Sequence, residues 1–406
     1  MQIVRPEEVG LSSERLARID QHLEQRYLAH KKIAGALTLV ARRGRIAHLA
    51  PLGMMDVERG VPMREDTLFR IYSMSKPITS VALMSLYEHG AFQLEDPVHK
   101  YIPAWRDLRV YEGGNYPTFA TRPALRPMTV RDLLTHTSGL TYGFMERTNL
   151  DRAYRRLGVG DRNKSLDEMI ATLAKLPLEF SPGTQWNYSV ATDVIGHLIE
   201  RLSGRRLDVF LRDEVFAPLR MLDTGFFVPA DRIERLASNY SRKPDKTLGV
   251  EDDRTASAYA QLPAYLSGGG GLVSTARDYL RFCQMLLNGG ELDGARILGR
   301  KTIELMTQNH LPGGCDIGQL NLGGQFSQVA YDGVGFGLGF SVTLDLARAQ
   351  TVGSIGEYAW GGAASTAFWI DPKEELIVIF MTQFMPSGTF NFRGQLKSIV
   401  YPAIVG

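Results

Sequence analysis

The 406-residue sequence lacks most of the features that assign a chain to a specialised class. It has two cysteines, Cys283 and Cys315, which offer neither a disulfide framework nor the spacing of a metal site, and this suits a reducing compartment. No window approaches the roughly 18 apolar residues of a membrane-spanning helix. The N-terminal stretch MQIVRPEE has no apolar core of a signal peptide. We therefore expect a cytoplasmic protein without membrane contact.

The chain also lacks an excess of charge of one sign. Lys plus Arg number 46 against 44 for Asp plus Glu, a net charge of +2, and no long run of one sign occurs. This balance disfavours nucleic acid or an anionic membrane as a partner. The eight histidines show no metal-ligand spacing, and His136 is predicted to be a structural, hydrogen-bonding residue. No metal or cofactor is expected.

Apolar residues, by contrast, are plentiful, at 44% of the chain, so a large core is expected. The pattern after Ser13 predicts a helix, and the segments 35–41 and 45–50 predict a β-hairpin. Strands are also predicted near 336–342, 364–370 and 375–382. Sheet at both ends of the chain with helices between them indicates an α+β fold.

We predict a domain formed by residues 1–90 and 251–406, and a mainly helical domain formed by residues 91–250. Ser165 with Glu168 predicts a capped helix in the second of these. The segment 113–128 holds three prolines and little periodicity, so an irregular loop beside a site is expected there. The four glycines at 268–271 lack the context of a phosphate-binding loop and predict a flexible turn.

The clearest candidate for chemistry is Ser73-Met74-Ser75-Lys76. Residues three apart on a helix share one face, so the Ser73 hydroxyl and the Lys76 amine can form a hydrogen bond. Pro77 is tolerated only in a first helical turn, which puts Ser73 at the positive end of the helix dipole. Dipole and burial both favour a neutral lysine that can act as a base. The same spacing also arises by chance, with the serine as a cap and the lysine in solvent.

Two further segments allow both a functional and a structural interpretation. Tyr188 follows a turn at a helix start, where its phenol points into a cleft or packs on the helix. Trp360-Gly361-Gly362-Ala363 opens a predicted strand. A free N–H there can donate to an oxyanion, or the segment is only a hairpin turn. No Gly-x-Ser-x-Gly occurs, so the nucleophile elbow of an α/β-hydrolase is unsupported.

Taken in order, these segments resemble the serine β-lactamase and penicillin-binding superfamily, in particular its class C-like branch and the family VIII carboxylesterases. The resemblance covers most of the chain. Its residues are Ser73-x-x-Lys76, Asp96-Pro97-Val98 to Pro103, Met128 to Gly139, Tyr188-Ser189-Val190, Gly269 to Thr275 and Trp360-Gly361-Gly362.

The resemblance implies a β-lactamase-like fold, an antiparallel sheet flanked by helices with an inserted, mainly helical domain. It implies Ser73 as the acyl-accepting nucleophile and Lys76 and Tyr188 as the residues that share proton transfer. The backbone N–H groups of Ser73 and Ala363 would form the oxyanion hole. Either Lys76 or Tyr188 can be the base, and the sequence leaves this choice open.

Two departures from the lactamase pattern bear on the substrate. Val190 stands where lactamases carry the asparagine of Tyr-x-Asn, and Trp360 stands where they carry the lysine of Lys-Thr-Gly. The chain thereby loses an amide for an acyl-amide group and a cation for a carboxylate. With Gly361 and Gly362 these residues are the predicted substrate-binding set, and an uncharged ester fits it better than a β-lactam.

We therefore expect a serine carboxylesterase that hydrolyses short-chain carboxylic esters through an acyl-enzyme on Ser73. Three other functions are compatible with the same motifs. They are an acyltransferase, a β-lactamase or D-alanyl peptidase with cephalosporins as a possible side substrate, and a catalytically silent ligand-binding relative. The intact set of Ser73, Lys76 and Tyr188 argues against the last. The sequence does not predict the oligomeric state.

Overall fold

The structure is a computed structural model that describes residues 1–322 and 331–406. The strands in these ranges are β1 Gly35–Arg42, β2 Arg45–Asp56, β3 Val61–Pro62, β4 Phe69–Arg70, β5 Arg109–Asn115, β6 Thr118–Pro123, β7 Asn239–Arg242, β8 Leu248–Asp252, β9 Val273–Ser274, β10 Glu291–Leu292, β11 Ala295–Arg296, β12 Val334–Phe336, β13 Ser341–Thr343, β14 Tyr358–Gly361, β15 Ala367–Asp371, β16 Leu376–Thr382 and β17 Phe384–Met385.

Helices lie between and around these strands. In the same ranges they are α1 Ser13–Leu23, α2 Ser75–Glu88, α3 Val130–Leu134, α4 Asn149–Arg156, α5 Leu166–Leu173, α6 Ala191–Ser203, α7 Leu207–Leu211, α8 Ala276–Leu287, α9 Arg300–Met306, α10 Ile317–Leu320, α11 Leu346–Ala349 and α12 Phe392–Val400. No helix of the described residues is long and apolar enough to cross a membrane.

The main sheet has eight strands in the order β12-β13-β14-β15-β16-β1-β2-β3. Every neighbouring pair in it is antiparallel. The sheet is therefore built from two stretches that are far apart in sequence, 35–62 and 334–382. This arrangement, flanked by helices, confirms the predicted α+β fold with an antiparallel sheet.

Helices cover both faces of this sheet. Alternate residues of β1 enter two different cores: Leu37 and Leu39 pack with α2 and α8, whereas Ala36 and Val40 pack with α1 and α12. All seven residues of β16 are buried, which explains its unbroken apolar sequence, Leu-Ile-Val-Ile-Phe-Met-Thr. A strand covered on both faces has no polar side to alternate with its apolar one.

The sequence predicts local structure correctly where the two partners of a helix cap or a hairpin are close in sequence. Helix α1 and the β1–β2 hairpin lie where the pattern predicts them. Ser165 caps α5 through a reciprocal box: its hydroxyl accepts from the Glu168 N–H, and the Glu168 carboxylate accepts from the Ser165 N–H at 2.7 Å. The predicted strand 336–342 consists instead of the ends of β12 and β13 with a turn between them.

The prediction of an irregular loop at 113–128 was wrong in its first half. Strands β5 and β6 form a β-hairpin with a register shift between Tyr111 and Gly113. Two glycines at the bulge, Pro117 before the second strand and Pro123 at its end obscure the alternation by which a hairpin is recognised. The middle of the chain thus carries strands as well as helices. The domain boundaries at 90 and 250 remain a prediction.

Candidate active site

Ser73 lies in a short 3₁₀ turn, Tyr72–Met74, that leads directly into α2. The residue before it, Tyr72, has a φ of 41°, a left-handed conformation that is strained for a bulky side chain. The Tyr279 hydroxyl donates to the carbonyl oxygen of Met74 at 3.0 Å and anchors the turn from α8. Pro77 lies in the first turn of α2, where no intrahelical N–H is missed. The sharp entry presents the Ser73 hydroxyl at the end of the helix.

Lys76 is one residue into α2, and its side chain is buried. Its Nζ donates to the carbonyl oxygen of Gly269 at 2.7 Å and to the Tyr142 hydroxyl at 3.0 Å, and it lies 3.3 Å from Ser73 Oγ. Burial lowers the pKa of Lys76 to about 7, although the nearby Asp193 carboxylate opposes this shift. A large fraction of the amine is therefore neutral near pH 7 and able to accept a proton.

Tyr188 is the second side chain that contacts the Ser73 hydroxyl. Its hydroxyl donates to Ser73 Oγ at 2.5 Å. Burial raises the pKa of Tyr188 well above its ordinary value, and hydrogen bonds with Ser73 and Trp360 only partly oppose this. The phenol thus keeps its proton at neutral pH, whereas the amine of Lys76 loses one readily. Burial thus shifts the pKa values of the two side chains that contact Ser73 Oγ in opposite directions, because it disfavours the charged form of each.

The end of β14 forms the wall beside Ser73. A Cβ atom on Gly362 would lie 2.4 Å from the carbonyl oxygen of Ile71, so only glycine allows the strand to approach the backbone before the serine this closely. Ala363 follows in a turn that lines the same cavity. Its N–H makes no hydrogen bond to another residue in the described part of the chain. It can therefore donate to a ligand.

A cavity of about 1040 Å³ opens at these residues. All of the residues predicted to contact substrate or reacting atoms line it except Lys76, which lies behind Ser73. The lining includes Ser73, Tyr188, Val190, Trp360, Gly361, Gly362 and Ala363. Trp360 and Val190 are almost fully buried, and the Trp360 ring lies 5.6 Å from that of Tyr188. The cavity is large enough for a small organic ester and is rich in aromatic side chains.

Sequence reasoning missed three residues of the site. Tyr142 and Gly269 contact Lys76 directly, as described above. The Asp193 carboxylate accepts from the Gly269 N–H at 3.1 Å and from the Ser267 hydroxyl at 2.5 Å. These groups come from separate segments, and no local pattern marks them. The glycine tract is a turn, as predicted, but it is largely buried, and the carbonyl oxygen of Gly269 accepts a hydrogen bond from Lys76.

His136 lies behind Tyr188 and is completely buried. Its Nδ1 is 3.2 Å from the Ser189 hydroxyl, and its ring centroid is 5.1 Å from that of Tyr188. Burial and the charge of Lys76 lower its pKa well below the usual value, so the imidazole is neutral. This agrees with the predicted structural role. Within residues 1–322 and 331–406, no three His, Cys, Asp or Glu side chains form a group that could hold a metal ion.

A serine with a lysine three residues later, in a cleft beside a helix-flanked antiparallel sheet, defines a class of serine hydrolases. The chain belongs to the Beta-lactamase family, whose model matches residues 21–397. This confirms the resemblance of the sequence motifs to that family and identifies the protein as a serine hydrolase.

Several known proteins are similar to the chain over most of its length. Esterase EstB from Burkholderia gladioli is 33% identical over 385 residues, which cover 90% of each protein. Protein Rv1367c from Mycobacterium tuberculosis is 38% identical over 357 residues, 87% of this chain and 86% of the relative. The solved structure of EstCE1, a hydrolase with promiscuous acyltransferase activity, has a TM-score of 0.78 and 27% identity, and covers 96% of this chain and 99% of that one.

Proposed function

We propose that the protein is a carboxylesterase of the family VIII type that hydrolyses short-chain carboxylic esters. One observation carries this proposal. Ser73 Oγ is 2.5 Å from a phenol that holds its proton and 3.3 Å from an amine that gives up its proton easily, at the wall of an aromatic cavity. The similarity to esterase EstB and to EstCE1 supports an ester as the substrate.

In the proposed first step, neutral Lys76 takes the proton of the Ser73 hydroxyl while Oγ attacks the ester carbonyl carbon. The carbonyl oxygen becomes an oxyanion, which the N–H groups of Ser73 and Ala363 stabilise. The carbonyl then re-forms, and the bond to the alcohol oxygen breaks. Tyr188 donates its proton to the leaving alkoxide and is reprotonated by the ammonium of Lys76.

In the second step, water attacks the acyl-enzyme. The same two groups take a proton from the water and return one to Ser73 Oγ, which releases the carboxylic acid. The lowered pKa of Lys76 and the raised pKa of Tyr188 favour the lysine as the base and the tyrosine as the acid. The sequence left this assignment open.

The proposal is tested with 4-nitrophenyl butyrate and a chromogenic cephalosporin, on the natural protein and on Ser73→Ala. We expect clear hydrolysis of the ester, weak or no hydrolysis of the cephalosporin, and a loss of at least about 10³-fold in kcat for the variant. Circular dichroism checks that the variant is folded. Full esterase activity in Ser73→Ala would refute the mechanism.

An acyltransferase is the second candidate function. The cavity of about 1040 Å³ has room for an acceptor alcohol next to an acylated serine, and EstCE1 is described as having promiscuous acyltransferase activity. Product analysis with increasing concentrations of a primary alcohol separates the two functions. Predominant transfer at millimolar alcohol in water favours the acyltransferase, whereas release of the free acid favours the esterase.

A β-lactamase or D-alanyl peptidase fits the site less well. Trp360 occupies the position of the family's lysine, and its side chain is buried against Tyr188. Val190 is buried and offers no amide to an acyl-amide group. Activity on cephalosporins is therefore proposed only as a side reaction. The cytoplasmic location remains a prediction from the sequence.

A further inference from the structure

Arg393 is a cationic side chain in the cavity wall for which the described part of the chain supplies no anion. It is the second residue of α12 and is only partly exposed. Its Nε is buried without a hydrogen-bond partner, and its guanidinium forms no ion pair with any residue in 1–322 or 331–406. A buried donor that carries charge is costly to leave unpaired. The site therefore favours an anion that comes from outside the chain.

The guanidinium lies against the strand that ends beside Ser73. A Cβ atom on Gly361 would be 2.4 Å from Nη2 of Arg393, so glycine at this position leaves the space that the guanidinium fills. The next residue, Gly362, lies against the carbonyl of Ile71, two residues before the serine. Arg393 and Ser73 thus belong to the same wall of one cavity.

The other charged side chains that line the cavity already have partners within the chain, whereas Arg393 is available to a ligand. Among the described lining residues, Asp193 is the only acidic one, and it is bonded to the glycine tract behind Lys76. Arg155 donates to a backbone carbonyl oxygen. Arg162 donates to another at 3.0 Å and lies over the Tyr259 ring at 4.6 Å. The lining therefore carries more positive than negative charge, which attracts anions.

We propose that Arg393 binds a carboxylate of the substrate, so that the preferred substrates are esters carrying a free carboxylate. This inference rests on the proposed esterase function and specifies its substrate class. A planar guanidinium with several donors matches a carboxylate in geometry as well as in charge. At position 360 a tryptophan replaces the family's cation, and this loss, with that of the amide at position 190, favours an uncharged ester. Helix α12 brings a different cation to the neighbouring residue of the same strand.

The test compares pairs of esters in which one member carries a carboxylate and the other is neutral. For a carboxylate on the alcohol part, the pair is 4-(butyryloxy)benzoate and 4-(butyryloxy)benzamide. For a carboxylate on the acyl part, the pair is the mono-4-nitrophenyl ester of adipic acid and 4-nitrophenyl hexanoate. We expect the natural protein to prefer the anionic member of at least one pair by about tenfold or more in kcat/KM, chiefly through a lower KM. The pair that shows this preference identifies the part of the ester that faces Arg393.

Three variants test the assignment to Arg393. Arg393→Gln should lower the preference for the anion about tenfold or more, and Arg393→Lys should retain part of it, because the charge remains but the fork of donors is lost. Arg162→Gln is the matched control, since it removes an equal charge from the same cavity at a residue that already has partners. It should retain most of the preference, because a screened charge at a distance contributes little.

Two results would overturn the inference. One is the absence of any preference for the anion in both pairs by the natural protein. The other is an equal loss of preference in Arg162→Gln and Arg393→Gln, which would indicate a diffuse field rather than a binding residue. Thermal unfolding of each variant verifies that the fold is intact.

A binding measurement separates failure of this inference from failure of the proposed function. Calorimetric titration of Ser73→Ala with 4-(butyryloxy)benzoate and 4-(butyryloxy)benzamide needs no turnover. Tighter binding of the benzoate that disappears in the double variant with Arg393→Gln supports the carboxylate site even if no ester is hydrolysed. Equal binding of both compounds, together with no preference for the adipate ester, contradicts it.

Discussion

At the residue scale, Lys76 and Tyr188 respond to the same burial in opposite ways. Removal from water disfavours the charged form of each, so the pKa of the lysine falls to about 7 and that of the tyrosine rises. No histidine takes part in this arrangement. In the proposed mechanism, Lys76 is the base because burial disfavours its cation, and Tyr188 is the acid because burial disfavours its anion.

The first prediction is a pH dependence. Lys76 must be neutral to accept a proton, and its neutral fraction grows as the pH rises through its pKa. We therefore expect kcat/KM for a neutral ester to rise about tenfold per pH unit below about pH 7, which is the acid limb of the profile, and to level off above it. The measurement is a profile from about pH 5 to pH 9, read at the isosbestic wavelength of 4-nitrophenol.

Asp193→Asn is the control for this assignment. The carboxylate of Asp193 raises the pKa of Lys76, so removing its charge lowers that pKa further and shifts the acid limb to lower pH. The amide oxygen can still accept from the Gly269 N–H, which maintains the local geometry. An acid limb that does not move, or that moves to higher pH, would contradict Lys76 as the titrating base.

The sequence predicts Ser73, Lys76 and Tyr188 through a recurrent motif, whereas it gives no sign of Tyr142, Asp193 or Arg393. Each of the latter is an ordinary residue in its own segment and gains importance only from its neighbours in the folded chain. Asp193, for example, reads as a polar residue in the first turn of α6. Its effect on Lys76 depends on a turn that lies more than seventy residues away in the sequence.

At the scale of elements, hairpins and capped helices were predictable because their signals are local. The β1–β2 hairpin and the box of Ser165 and Glu168 are examples. Short strands were not predictable. Strand β4 pairs with β9, and β17 pairs in parallel with β7, so each depends on a partner that is distant in sequence.

The second prediction concerns the cap of α5. Ser165→Ala removes the acceptor for the Glu168 N–H, and we expect it to lower the free energy of unfolding by about 1 kcal/mol. Thr172→Ala, on the same helix, is the matched control. It removes a hydroxyl that bonds only to a carbonyl of the preceding turn, and alanine is the better helix former, so its effect should be near zero or stabilising. Urea unfolding measures both variants.

If the cap is not a local stabiliser, the two alanine variants will unfold at the same urea concentration. Esterase activity of both should match that of the natural protein, because α5 lies outside the described lining of the cavity. A loss of activity without a loss of stability in Ser165→Ala would mean that the cap also positions the site.

At the scale of the whole molecule, the site is assembled from almost the full length of the chain. Ser73 comes from the turn before α2 and Lys76 from α2, Tyr188 from the segment just before α6, Ala363 from the turn after β14, and Arg393 from α12. The motifs predict which residues belong to the site, but these residues meet only because the sheet joins residues 35–62 to 334–382. The fold class was predictable from strand patterns at both ends of the chain, whereas the shape and charge of the cavity depend on contacts between distant segments.

The central claim is that Ser73 carries the acyl group during turnover. The most direct measurement is mass spectrometry of protein quenched in acid during turnover of 4-nitrophenyl butyrate, followed by peptide mapping. The account predicts an increase by the mass of one butyryl group on the peptide that contains Ser73, and no such increase in Ser73→Ala. A butyryl group on another residue with none on Ser73, or steady hydrolysis by the natural enzyme without any acylated protein, would contradict it.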